Sequence, residues 1–267
     1  MDPASPLKRL MPVRLAIVTM SKNPMALETW LRYHHESLGV NEFHLRFEGC
    51  SDADHELLRS SPWNELVHAT FDCESGHSRH LLTQMDRQSQ HVRNSIAAMQ
   101  LSGTATHVLH IDDDELLHCP AGIDALHGAI TSSAPDISDI HMTNIEACLP
   151  SPYCADPFRA ATVFQHGPAH FNSYRNGKSI GVLADAFLTM RGPHHFGSTA
   201  TSGAGGTWAL ASDLGVILHF ESATFEQWLS KWTELSVRHT DGVHAEPQIL
   251  GPSPAAGILG FAAFHPL

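Results

Sequence analysis

The residues best equipped for chemistry stand in one run, His107 to Leu117 (HVLHIDDDELL). An apolar strand that stops at Asp112-Asp113-Asp114-Glu115 sets carboxylates at the rim of a sheet. Hard oxygen ligands there can hold Mg²⁺ or Mn²⁺, and the ion can bridge a diphosphate. Leu116 and Leu117 return the chain to the core at once, so the acids should occupy a tight bend between two buried segments. A solvated turn or a helix N-terminus would favour Asp equally. The 21 histidines are less telling, because so many make close pairs common by chance. His107 and His110, for instance, fall on opposite faces of a strand and do not suggest a shared metal site.

The elements around the acids read as alternating strands and helices. Val13 to Met20 is an apolar run typical of a buried strand, and Asn23-Pro24 supplies an N-cap with proline at the first helical position. Leu27, Trp30, Leu31, His34 and Leu38 would then share one helix face, ended by Gly39. Strands are expected at Glu42 to Phe47, Leu66 to Phe71 and His107 to Ile111, with a short helix to about Ser60 and a long one from about Arg79 to Leu101. This order implies an α/β domain with a mostly parallel sheet, helices on both faces and ligands at the carboxyl ends of the strands. Beyond residue 135, strands are expected at Ile137 to Asn144, Ser179 to Met190 and Gly215 to Phe220. A helix is expected at Thr224 to Arg238, and the glycine-rich piece Gly197 to Gly206 reads as a flexible loop.

Composition narrows the function classes. With 267 residues, 42% hydrophobic and 16% charged, the chain is neither disordered nor fibrous. A formal charge of −12 has the wrong sign for gripping nucleic acid. The five cysteines include no C-x-x-C pair, which argues against a zinc ribbon or a thioredoxin-like site. No window approaches the roughly 20 apolar residues of a membrane span, and Met1 to Met11 lacks a secretory core, so the expectation is a soluble cytoplasmic protein without an integral membrane segment. The expected organisation is an N-terminal extension over 1–12, one domain over 13–240 and a tail over 241–267.

Several of these segments together resemble the GT-A fold glycosyltransferases, within them the family 2-like and family 92-like enzymes. Ala16 to Asn23 (AIVTMSKN), then Glu28 to His34 (ETWLRYH) and Leu38-Gly39-Val40, are similar to that group's opening. HVLHIDDDELL resembles its D-x-D-E metal motif. Tyr174 to Ser179, Gly192-Pro193-His194 and Leu218-His219-Phe220, with Phe225, Trp228 and Lys231, resemble its second half. The matches run from about residue 13 to 235. Pro24 stands where the family commonly has Glu, and its nucleotide turn becomes Glu48-Gly49-Cys50-Ser51-Asp52-Ala53-Asp54.

The resemblance implies a single Rossmann-like GT-A domain, a nucleotide-sugar donor (a UDP-sugar), Mn²⁺ or Mg²⁺, and a carbohydrate or glycoconjugate acceptor. Asp112, Asp114, His194 and His219 would surround the ion, and neutral imidazole can complete such a shell. Asp112 and Asp113 would also face the donor, with Lys22 near it and Glu48, Asp52 and Asp54 as acceptors for a uracil N–H or a ribose hydroxyl. For the last three, capping of the next helix is the competing role. Arg87 and Gln88 would orient the nucleotide, and Arg175, Lys178 and Lys231 would meet phosphate. An inverting transfer needs one carboxylate base, for which Glu146 and Asp185 are the candidates. Two other readings stay open: a His/Asp metal-dependent hydrolase using the same acids, and a non-catalytic carbohydrate-binding protein on a degenerate transferase fold.

Overall fold

The structure, a computed structural model, describes residues 12–72, 83–151, 153–166, 175–200 and 205–221, together with 225, 228, 229, 232 and 233. Expectations for the 1–12 extension (save residue 12), the 241–267 tail, Lys231, most of the Thr224 to Arg238 helix and residues 201–204 of the glycine-rich piece therefore lie outside the described residues.

The chain opens on β1 (Leu15–Ser21), every residue of which is buried. Next come α1 (Leu27–Arg32), which widens into one π-helical turn over Tyr33–Ser37, and then β2 (Phe43–Phe47), α2 (Asp52–Arg59), α3 (Trp63–Leu66) and β3 (Val67–Phe71). After α4 (Gln84–Ser102) follow β4 (His107–His110), β5 (Glu115–His118), α5 (Ile123–Thr131), β6 (Ile137–Met142) and β7 (Asn144–Cys148). The rest comprises α6 (Pro157–Ala160), β8 (Val163–Gln165), β9 (Lys178–Val182), β10 (Leu188–Met190), β11 (Phe196–Ser198), β12 (Gly206–Ala209) and β13 (Val216–His219).

The main sheet has seven strands in the order β12-β6-β9-β4-β1-β2-β3. All run parallel except β9, which is antiparallel to both of its neighbours. A second sheet, β5-β13-β7-β8, continues from the carboxyl ends of β4 and β6, and β10 and β11 form a separate hairpin. This is the mixed α/β domain expected from the alternation, with a mostly parallel central sheet flanked by helices. Among the described residues no helix is long and apolar enough to cross a membrane.

Period-two alternation along β1 builds a core on each face of the sheet. Leu15 and Ile17 join Trp30, Leu31, Phe43, Leu45 and Phe47 on one side. Ala16 and Val18 meet Val92, Ile96 and Met99 of α4 and Met190 and Phe196 of the hairpin on the other. Each fully buried large aliphatic side chain in these clusters contributes about 1.5–3 kcal/mol by leaving water. Helix α4 is anchored by a capping box between Thr83 and Asp86 and ends at Gly103, whose φ of +66° suits a left-handed cap.

Four expected boundaries change. The first helix begins at Leu27, not at Asn23-Pro24, because Asn23 takes a left-handed φ of 52° and its N–H donates to the Gly49 carbonyl. The long helix starts at Gln84 rather than near Arg79, since the Thr83 cap sets its origin. The strand expected over Ile137 to Asn144 divides at Thr143, where the chain passes from the main sheet into the second one. The strand expected over Ser179 to Met190 is likewise two strands, β9 and β10, separated by a turn around Asp185.

Candidate active site

The acidic run is the link between β4 of the main sheet and β5 of the second sheet, a bend between buried segments as the flanking leucines imply. Its shape is set by neighbours at the carboxyl end of β1. The Thr19 hydroxyl donates to the Ile111 carbonyl at 2.8 Å, and the Ser21 hydroxyl donates to Asp113 at 2.5 Å. Across the bend, the Asp112 N–H donates to the Glu115 carboxylate at 2.7 Å, while the Trp30 indole N–H donates to the Glu115 carbonyl at 2.8 Å. Burial, then the charge of Asp114, pushes the Asp113 carboxyl up to about 7. Burial likewise pushes Glu115 up to about 8.

Lys178 reaches this bend because β9 is antiparallel, so the strand's first residue stands at the carboxyl rim of its neighbours. Its side chain is 1% exposed, and Nζ lies 2.5 Å from Asp112 and 3.3 Å from Glu115. Burial opposes the charge on both partners of the closer pair. The attraction wins, holding Lys178 above its ordinary value and Asp112 down at about 2. Gly177, just before it, has φ +61° and sits where a Cβ would stand 1.9 Å from the Met142 carbonyl, so only glycine brings the chain this close to β6.

On the other side of the bend, β13 ends at His219, placed by strand register opposite Glu115 of β5 and Glu146 of β7. Imidazole Nδ1 donates to the Glu146 carboxylate at 2.8 Å, and the Asn144 amide donates to the same oxygen at 3.0 Å. Nε2 then lies 3.7 Å from Asp114 and 3.5 Å from Glu221. The donor atoms of Asp114, His219 and Glu221 all fall within 4.8 Å of one another. Burial would lower the His219 pKa, but its bond to Glu146 and the charge of Asp114 raise it to about 9. The two carboxylates facing Nε2 favour positive charge at this point, and a divalent cation would supply it. Two hard oxygens and one imidazole, oriented from behind by a carboxylate, are a donor set that fits Mn²⁺ or Mg²⁺.

Of the expected residues, Asp112, Asp113, Asp114, Lys178, Gln88, Glu146 and His219 come together at this rim. Gln88 of α4 donates to Asp112 at 3.2 Å. Glu48, just past β2, is gripped by Arg87 through two nitrogens, the longer bond being 2.8 Å. Lys22 is exposed directly after β1, and Arg175 is exposed three residues before Lys178.

Other expected residues take different places. Of the four expected ligands, Asp114 and His219 converge, whereas Asp112 is committed to Lys178 and Gln88. His194 bonds the Gly177 carbonyl at 2.8 Å, on the Lys178 side. Asp54 caps its own helix with Ser51, and Asp52 is exposed in that helix's first turn. Asp185 lies beyond the far end of β9, because an antiparallel strand carries the chain away from the rim. Its carbonyl accepts from Gln100, twelve residues from Gln88 and so about 18 Å along α4. Glu146 is 5% exposed inside β7 and its carboxylate is bonded to His219. Glu115, the last acid of the run, faces Lys178, and Glu221 joins the site from outside every segment singled out in the sequence. Glu221 stands two residues after His219, the spacing that returns a side chain to the same side of an extended chain.

No protein-family profile matches the chain, and no curated protein matches it. Among solved structures, 4-diphosphocytidyl-2C-methyl-D-erythritol synthase matches over 65% of this chain and 76% of its own, at 12% identity and a TM-score of 0.33. An active-site mutant of LgtC matches over 63% of this chain and 57% of its own, at 13% identity and a TM-score of 0.30. Likenesses this distant say nothing about chemistry.

Proposed function

We propose that the chain is a metal-dependent glycosyltransferase that moves a sugar from a nucleotide-sugar donor, a UDP-sugar, to an acceptor hydroxyl with inversion. One observation carries this reading: His219 Nε2 stands between Asp114 and Glu221 at the carboxyl rim of the parallel strands, beside the buried Lys178–Asp112 pair. Bound there, Mn²⁺ or Mg²⁺ would supply the positive charge that a departing diphosphate needs.

The protein's own part is orientation and charge. Glu146 and Asn144 fix the His219 ring so that Nε2 faces the two carboxylates. Lys178 holds Asp112 ionised and in place, and Gln88 secures its second oxygen. The Arg87–Glu48 pair walls the rim after β2, where a nucleoside would lie against the ends of β1 and β2. Burial of Lys178, Glu115, His219 and Glu146 strengthens the interactions among them, while Asp112 and Asp114 keep part of their surface at the rim.

Hydrolysis is a second reading with a specific observation behind it, since Asp114, His219 and Glu221 form the compact His/carboxylate group that a metal-bound water would require. Thermal unfolding with UDP, with and without Mn²⁺, followed by UDP release from UDP-sugars with and without carbohydrate acceptors, tests both. A transferase is protected by UDP only with Mn²⁺, and it releases UDP faster when acceptor is added. Ligand at a hundred times its dissociation constant should add about 2.7 kcal/mol. Acceptor-independent release would indicate a hydrolase acting on the nucleotide sugar, and absence of Mn²⁺-dependent UDP protection would overturn the transferase reading.

A further inference from the structure

A second cluster of ligating side chains, Glu42, His44 and His68, lies away from this rim. Glu42 immediately precedes β2 and His44 is the strand's second residue, so the period of two puts both on one face. His68 of β3 is the register partner of His44 and therefore shares that face. His44 Nε2 is 2.9 Å from the Glu42 carboxylate, and the two imidazole centroids are 4.7 Å apart. Thr104, in the loop leaving α4, stands near Glu42 and, against burial, with His44 and His68 helps hold its carboxyl below the ordinary value. This places the cluster at the amino ends of the strands, opposite the rim that carries Asp114.

We propose that Glu42, His44 and His68 bind one transition-metal cation of the Zn²⁺ class, which clips the edge strand β3 to β2. Two imidazoles and one carboxylate suit Zn²⁺, Co²⁺ or Ni²⁺ better than the oxygen-seeking Mg²⁺ and Ca²⁺. A tetrahedral ion about 2.0–2.1 Å from each donor needs donors about 3.4 Å apart. The three ligand atoms already lie within 4.8 Å of one another, and a turn of the exposed His68 ring closes the set. Three protein ligands leave a fourth position for water. The clip has a structural purpose: among the described residues β3 is the last strand of the sheet and pairs only with β2, so an ion shared between them secures that edge. The site is independent of the transferase reading.

Co²⁺ titration of the full chain, read by visible absorption and by displacement with Zn²⁺, tests this. The wild type should develop the intense bands of tetrahedral Co²⁺. His68→Ala and Glu42→Gln should each weaken that binding by at least about tenfold, the lower end of what even an outer-shell change does. Asp114→Asn should leave these bands intact, which separates this site from the rim. Should one variant fail to fold, the other decides. Unchanged bands and affinity in a folded His68→Ala or Glu42→Gln would show that the cluster is only an ion pair with stacked imidazoles, and would overturn the clip.

Discussion

Glu146 accepts the Nδ1 proton of His219 at 2.8 Å across two parallel strands, and that bond turns Nε2 toward Asp114 and Glu221. A carboxylate behind an imidazole fixes the tautomer and raises the basicity of the ligand. Changing Glu146→Gln keeps the shape but removes the charge. Mn²⁺ affinity, measured by electron paramagnetic resonance of the free ion, should fall by about 10- to 100-fold while the circular dichroism spectrum stays native. Unaltered affinity would mean that His219 is not a ligand.

Among the described residues Lys178 is the cation bonded to Asp112, and it also neighbours Glu115, whose side chain is 0% exposed. Lys178→Met would strand these acids, and breaking a fully buried pair from one side typically destabilises by about 3–5 kcal/mol, an upper bound here because Asp112 keeps 33% of its side chain exposed. Urea unfolding should show a loss of this order, and Lys178→Met combined with Glu115→Gln should recover part of it. A single variant as stable as the wild type would indicate that the pair is solvated.

His34 gives the fold a pH dependence. It is fully buried, donating from Nδ1 to the Trp30 carbonyl at 2.9 Å and accepting at Nε2 from the Leu117 N–H at 3.4 Å, an arrangement only the neutral ring can make. Burial lowers its pKa to about 3. The unfolded chain, with a value of about 6.5, binds the proton first, so the contribution is complete above pH 6.5 and shrinks as pH falls toward 3. Within that window the slope from this group is about 1.4 kcal/mol per pH unit. Denaturant unfolding between pH 7.5 and 5 should show a shallower decline in His34→Gln than in the wild type. Parallel declines would mean that the ring is protonated in place.

The parts of this arrangement legible in the sequence were those set by local pattern. Leu27, Trp30, Leu31, His34 and Leu38 are all buried on one helical face, and the acids bend where Leu116 and Leu117 re-enter the core. What escaped depends on pairing between distant segments. Asp185 follows Lys178 closely in sequence, but the reversed direction of β9 moves it to the opposite end of the sheet. Glu146 reads as an isolated acid until the register of β7 against β13 sets it beside His219. Two local signals carry part of the rest: the Thr83-x-x-Asp86 capping box marks the start of α4, and the two-residue spacing of His219 and Glu221 puts both on one side of an extended chain.

Asp114 is the carboxylate at the bend that faces both His219 and the open rim, with its side chain 30% exposed. The most direct test of the metal-held diphosphate is therefore a Mn²⁺ titration of UDP binding and sugar transfer in the wild type and in Asp114→Asn. Asparagine keeps the shape and a carbonyl oxygen but removes one charge from the hold on a hard cation. Binding of UDP should become less dependent on Mn²⁺, and turnover should drop by about 10² or more, a barrier increase of roughly 3 kcal/mol, with folding retained. Equal Mn²⁺ dependence and intact turnover in the variant would contradict it, leaving the acidic run a solvated turn.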